Sequence, residues 1–258
     1  MQYENLSAFY DRLTDDQPYD LWLDLIQQTL QQQNVSRVLD IGCGTGTLTQ
    51  HFTQFADEVM GMDLSVEMLA LAKQKSSQVQ WIEGDMSDFN LHTDFDLITI
   101  LCDSLNYLAD ETAVMATFEH VYQHLNADGY FIFDVHTTHK MTHQFNGQVY
   151  LDDREDLTLV WQTEPAEAPY SVWHDLTFFI LNEAQTYVRQ DESQYQRTFE
   201  KDQYIDILKQ VGFNHIETFY DFNKALQDPE SDRLFFIVKK NLHHACNTYD
   251  RRFYLCFL

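Results

Sequence analysis

Residues 38 to 47 read Val-Leu-Asp-Ile-Gly-Cys-Gly-Thr-Gly-Thr, a short apolar strand pattern running into three alternating glycines. Glycine reaches backbone angles closed to other residues and lets a ligand come within van der Waals distance. A helix opening behind such a turn offers unpaired N–H groups. Asp63 lies seventeen residues after Gly46, at the end of the next strand pattern, where a carboxylate can accept both hydroxyls of a ribose. Gly84-Asp85-Met86 follows the third strand pattern, where an acid can meet the exocyclic amine of adenine and a methionine can pack on the ring. Together these residues predict a grip on an adenosine-bearing ligand. A dinucleotide fingerprint would place its third glycine at position 47, which is Thr47; the pattern is D-x-G-x-G-x-G.

The elements that must carry these turns alternate. Helical spacing covers 3–13 and 19–33, where Leu21, Trp22, Leu25, Ile26 and Leu30 share a face and Pro18 precedes the start. Apolar strand runs cover 37–41, 58–63, 80–84, 95–101 and 130–135. Helices are expected at 47–55, 65–75 and 113–125, and a turn at 126–129. This alternation means βαβ units and a parallel sheet, and the continuous apolar runs mean strands covered on both faces. From residue 148 to 198 the pattern changes to β-rich runs at 158–163, 171–181 and 186–195, with turn candidates at 164–169 and 182–183. This stretch reads as an antiparallel insertion. A helix at 201–210 ends at Gly212, and strands at 215–222 and 234–239 read as an antiparallel pair closing the sheet. Residues 241–258 form a C-terminal extension without periodicity; His243, His244 and Cys246 could hold a metal, and the plain alternative is a packed or frayed terminus.

The chain has 258 residues, 44% hydrophobic and 14% aromatic, enough for a sizeable core. Its 41 acids against 16 bases give a formal charge of -25, which repels phosphate backbones and anionic membranes and so disfavours nucleic acid as a partner. Residues 150–200 hold eleven acids and three bases. The start, Met1 to Leu6, shows no secretory pattern, and no apolar run is long enough to span a bilayer. Cys43, Cys102, Cys246 and Cys256 fit neither a disulfide framework nor a paired-cysteine zinc site. A reduced, cytoplasmic protein without a membrane partner is expected, and nothing in the pattern speaks to its oligomeric state.

The motifs carry a resemblance to the class I S-adenosylmethionine-dependent methyltransferases, over roughly residues 35–135 and the closing strands. Asp40-Ile41-Gly42-Cys43-Gly44-Thr45-Gly46 is similar to that family's first motif. Asp63-Leu64-Ser65, with Met68 one turn on, resembles the ribose-binding second motif, and Glu83-Gly84-Asp85-Met86 the adenine-binding third. Phe95-Asp96-Leu97-Ile98 resembles the fourth strand, after which Leu101 and Cys102 would touch the methionine portion. Phe9-Tyr10-Asp11 and the stretch from Cys102 to Leu108 resemble a bacterial subgroup of small methyltransferases. The resemblance implies a Rossmann-like α/β fold: a seven-stranded, mostly parallel sheet with helices on both faces and an antiparallel β insertion after strand five. It implies a cofactor domain at 1–147 and 199–240, an insertion at 148–198 acting as lid or substrate platform, S-adenosyl-L-methionine as cofactor and S-adenosyl-L-homocysteine as product.

Methyl transfer from a sulfonium needs alignment and dehydration more than a nucleophile. Asp40 and the loop would hold the methionine end, Asp40 mostly through water or loop backbone. Tyr10 and Tyr19 could face the sulfonium, Tyr10 alternatively packing a helix. Asp103, Asn106, Tyr107 and His136 lie past the carboxyl ends of strands four and five, where ligands bind. His136 is the base candidate should the acceptor arrive protonated, with a structural histidine as the alternative. In the insertion, alternation turns one of Trp173 and His174 toward the cleft, and Arg197 lies nearby. The expected reaction is methylation of a small molecule; the acidic charge mildly favours an amine. A nicotinamide oxidoreductase and a non-catalytic S-adenosylmethionine binder are the competing classes.

Overall fold

The computed structural model describes residues 7–240. Residues 1–6 and the extension at 241–258, with His243, His244, Cys246 and Cys256, lie outside the described residues. Helix α1 spans Ser7–Leu13 and α2 Tyr19–Thr29. Strands β1 (Val35–Ile41), β2 (Ala56–Asp63), β3 (Val79–Glu83), β4 (Phe95–Ile100) and β5 (Leu125–His136) alternate with helices α3 (Val66–Lys75) and α4 (Glu111–His124). After α5 (Lys201–Val211) come β10 (His215–Tyr220) and β11 (Arg233–Lys239). These strands form one sheet in the order β10-β11-β5-β4-β1-β2-β3, in which β11 runs antiparallel to both neighbours. The seven-stranded, mostly parallel sheet expected from the sequence is present.

Strand alternation builds two cores. Leu39, Ile98, Phe131 and Phe236 point to one face, where they meet Phe118 of α4 and Tyr204 and Leu208 of α5. Val38, Leu97, Ile132 and Phe235 point to the other, against Trp22 and Ile26 of α2. Strands buried on both faces must be apolar throughout, which explains the continuous runs in the sequence. Helix starts are fixed locally: the Asp110 side chain accepts from Ala113 N and the Ser65 hydroxyl from Met68 N.

A second, four-stranded antiparallel sheet holds β6 (Val149–Asp153), β7 (Leu157–Pro165), β8 (Ser171–Leu181) and β9 (Tyr187–Arg197). Sequence patterning misses β6, an exposed edge strand with little apolar alternation. Three further expectations differ. The helix at 47–55 is a shorter 3-10 turn, Thr49–Gln54, with β2 beginning at Ala56. Helix α2 stops at Thr29: the glutamines beyond it bring no apolar face to bury, and Gln31 and Gln32 take positive φ. The turn at 126–129 lies inside β5, held there by Asp128 N to Lys240 O (2.7 Å) and Lys240 N to Gly129 O (3.0 Å).

Candidate active site

At the carboxyl ends of β1, β2 and β3 three turns enclose a cavity of about 270 Å³ lined by Gly42, Gly44, Asp63, Leu64, Met68, Gly84, Asp85 and Met86. Each turn satisfies its own polar atoms. Asp63 accepts from Ser65 N (2.9 Å) and from Gly44 N (2.8 Å), so the strand-end acid fixes the glycine loop. Burial pushes the Asp63 carboxyl up, and these N–H groups oppose it. Asp85 accepts from the N–H and hydroxyl of Ser87.

The glycines divide in role. Gly42, Gly44 and Gly46 all have positive φ. A Cβ on Gly44 would meet no atom within 4 Å, so this residue alone of the three opens freely to the cavity. A Cβ on Gly46 would come within 2.3 Å of the Trp81 ring, and Gly46 lines none of the site cavities. Its expected approach to a ligand is thus corrected: it makes room for Trp81.

A smaller space of about 40 Å³ continues under the loop, lined by Tyr10, Tyr19, Asp40, Cys43, Leu101 and Cys102. Of the two modes expected for Asp40, water or loop backbone, the direct backbone bond is not made; Asp40 accepts from the hydroxyls of Thr49 (2.5 Å) and Thr99 (2.7 Å). Burial raises its carboxyl to about 6 despite these bonds. Burial likewise lifts the Tyr19 phenol to about 12 and the Tyr10 phenol well above its usual range.

On the far side of Tyr10 lies a cavity of about 280 Å³ between the two sheets, lined among others by Tyr19, His136, Lys140, Trp161, His174 and Gln196. Tyr10, Cys102, Asp103 and Tyr107 line both this cavity and the first. Cys102 and Asp103 are consecutive non-glycine residues with positive φ, 53° and 57°. Such backbone costs about 1–3 kcal/mol per residue and persists where surroundings impose it. Here the imposing group is Asp134, fully buried, which accepts from Cys102 N (3.0 Å), Asp103 N (3.1 Å) and Trp22 Nε1 (2.9 Å) and pairs with Arg233. Arg233 also meets Asp103 at 3.0 Å. Asp103 Oδ2 lies 3.3 Å from His136 Nε2. Burial would raise the Asp103 carboxyl, but His136 and Arg233 hold it far below the usual range. Burial depresses the His136 imidazole to about 4, outweighing Asp103. An ionised Asp103 beside Nε2 keeps the proton on that nitrogen; Nδ1 is buried without a hydrogen-bond partner.

Of the insertion pair, His174 faces inward, 4% exposed, and Trp173 faces out at 40%. His174 Nδ1 accepts from Trp161 Nε1 (3.0 Å), and Nε2 donates to Gln196 Oε1 (3.1 Å). Asn106 and Arg197 are off the cavities: Asn106 Oδ1 accepts from His136 N, and Arg197 bonds the Ala109 carbonyl. Sequence reasoning missed Ser104, Lys140, Trp161, Gln194, Gln196 and Arg233 as lining residues. Asp134 carried a signal, an acid inside the apolar run from Tyr130 to Val135; the others carried none.

Helix α1 closes both cavities. Asp11 accepts from Thr45 Oγ1 (2.5 Å) and Lys75 Nζ (2.6 Å), tying the helix to the glycine loop. Arg12 pairs with Asp156 (2.5 Å), tying it to the second sheet.

Comparison with known proteins agrees with this geometry. A family model for the methyltransferase domain matches residues 38–129. A methyltransferase-family protein of Geobacillus sp. (strain WCH70) is 38% identical over 247 residues, covering 93% of this chain and 100% of its own. The crystal structure of an S-adenosylmethionine-dependent methyltransferase from Clostridium acetobutylicum ATCC 824 superposes with a TM-score of 0.83 at 26% identity, covering 93% of this chain and 99% of that one. Over 92 residues, 36% of each chain, it is 34% identical to the dTDP-3-amino-3,6-dideoxy-alpha-D-glucopyranose N,N-dimethyltransferase of Streptomyces fradiae. The chain belongs to the class I S-adenosylmethionine-dependent methyltransferases. That assignment displaces the oxidoreductase alternative. Among the described residues no helix is long and apolar enough to cross a membrane.

Proposed function

We propose that this methyltransferase acts on a small-molecule amine held in the cavity between the two sheets. The observation that carries the reading is the meeting of two cavities at Tyr10, Cys102, Asp103 and Tyr107. The first fits S-adenosylmethionine: an open glycine at Gly44, an acid at a strand end and apolar walls. Asp63 would take the ribose hydroxyls, Leu64, Asp85 and Met86 the adenine, and Gly42, Cys43, Gly44, Leu101 and Cys102 the methionine portion, with Asp40 bracing the loop's base. When bound, S-adenosylmethionine supplies a methyl group already activated by the sulfonium charge. Tyr10 and Tyr19 present aromatic faces that suit a cation and exclude water.

The remaining work falls to the acceptor cavity. The permanently anionic Asp103 attracts an ammonium, and the Asp103–His136 pair lining the same cavity is the group that takes up its proton and exposes the nitrogen lone pair. Asp103 thereby orients the base, Tyr107 flanks the junction, and the second sheet forms the acceptor platform. The named activity of the Streptomyces fradiae relative, methylation of an amino sugar, supports an amine. The acidic composition and the free cysteines Cys43 and Cys102 support work in the cytoplasm on a small molecule rather than on nucleic acid.

Calorimetry with S-adenosylhomocysteine and with NAD tests the cofactor assignment. S-adenosylhomocysteine binds, and Asp63→Ala weakens it by about 1–3 kcal/mol, the scale of lost charge-assisted hydrogen bonds. With labelled cofactor and a panel of amines, His136→Gln slows transfer by about 10²–10⁴-fold without changing S-adenosylhomocysteine affinity. NAD binding in place of S-adenosylhomocysteine refutes the first assignment, and unchanged transfer by His136→Gln the second.

A further inference from the structure

Lys140 lines the acceptor cavity from a π-helical turn, Lys140–Gln144, a geometry that recurs at functional sites. The turn is anchored by Lys140 N to Thr137 Oγ1 (3.1 Å). The ammonium sits 5.3 Å from the centre of the Phe145 ring. Among the described residues the structure gives Nζ no hydrogen bond, and no carboxylate lies within ion-pair distance of it. Asp103, Asp232 and Asp221 act on it only at longer range. In a chain with 41 acids and 16 bases, a cavity lysine with no carboxylate at ion-pair distance is unexpected. The other cavity cation differs: Arg233 is matched by Asp134 and Asp103.

The charges enclosed with Lys140 give its partner a sign. Asp103 and Asp134 balance Arg233 and Lys140, and His136 and His174 are neutral, both depressed to about 4 chiefly by burial. Once His136 holds a proton from the acceptor, the enclosed groups carry one surplus positive charge. An anionic group on the acceptor would cancel it, and Lys140 is the cation placed to bind that group.

Resting on the methyl-transfer reading above, we infer that the acceptor is an amine that also carries an oxyanion, a carboxylate or a phosphate, and that Lys140 is its anchor. The amine end meets Asp103 and His136, and the acidic end meets Nζ. Lys140 is a binding residue in this scheme and takes no part in moving the methyl group.

The test uses full-length protein carrying ¹³Cε-lysine and saturated with S-adenosylhomocysteine, at ionic strength held constant with chloride. The Lys140 signal is assigned by its loss in Lys140→Arg. Acetate, inorganic phosphate and the neutral isostere acetamide are titrated. The expected result is a saturable shift of the Lys140 signal at about 1–50 mM, the range open to a ligand of a few atoms, with acetamide inert. A response to acetate alone assigns a carboxylate, to phosphate alone a phosphate ester, and to both a general oxyanion site. No response to either anion, or an equal one to acetamide, overturns the proposal. Failure of S-adenosylhomocysteine to bind wild-type protein would instead sink the methyltransferase reading, so the two failures are separable.

Discussion

The two cavities share a wall and are built in opposite ways. Around the first, most polar partners are near in sequence, Ser65 N on Asp63, Ser87 on Asp85 and Met68 N on Ser65, with Gly44 N on Asp63 the bond that joins two of the turns. Around the second, they come from across the chain: Arg233 on Asp103, Gln196 on Asp103, Tyr107 on Gln194, Trp22 on Asp134. A wall made of turns that mostly satisfy themselves can change one ligand contact with little effect on the others. A wall made of interlocked buried charges transmits each change to the others.

Three measurements can break or sharpen this contrast. The largest effect is expected from Asp134→Ala, which leaves Arg233 underbalanced and frees two strained N–H groups. Urea unfolding should show a loss of about 3–5 kcal/mol. A loss below about 1 kcal/mol, the scale of an exposed pair, would show that the long-range network is not interlocked. The next concerns the floor beneath the glycine loop. Asp40 titrates near 6 when folded against an ordinary 3.8, so the folded state binds more protons between those values. Stability contributed there is present at low pH and lost as pH rises toward 6. Asp40→Asn should flatten that slope, recovering about 3 kcal/mol at neutral pH for a shift of about two units. Parallel pH profiles for the two proteins would refute the titration. The smallest effect is expected in the turns. Gly46→Ala, at positive φ and facing Trp81, should cost about 2–3 kcal/mol. Gly44→Ala, with open space ahead, should cost about 1 kcal/mol, near the low end of the cost for a residue held at positive φ. Equal losses would remove the distinction between a packing glycine and a ligand-facing one.

The same contrast governs what could be read without coordinates. Asp63 and Asp85 announce themselves because strand, turn and acid are contiguous, and the closing pair β10 and β11 is visible as apolar runs. Gly46 misleads because the ring that fills its space belongs to β3, thirty-five residues on. Trp173 and His174 present the limit of alternation: period two says that one turns inward, and only the flanking Trp161 and Gln196 decide it is His174. Lys140 and Arg233 have no local pattern; their meaning arises when β11 is laid against β5 and the second sheet is folded over the first. Asp134 was legible in kind, a carboxylate in a greasy strand, but its four donors come from α2, the turn after β4 and β11.

One short segment, Ser7–Leu13, is latched at one side to the loop through Asp11 and at the other to the second sheet through Arg12, with Tyr10 between. Displacing it uncovers both chambers in a single event. A motion that freed this segment would open a way out for spent donor and finished product together.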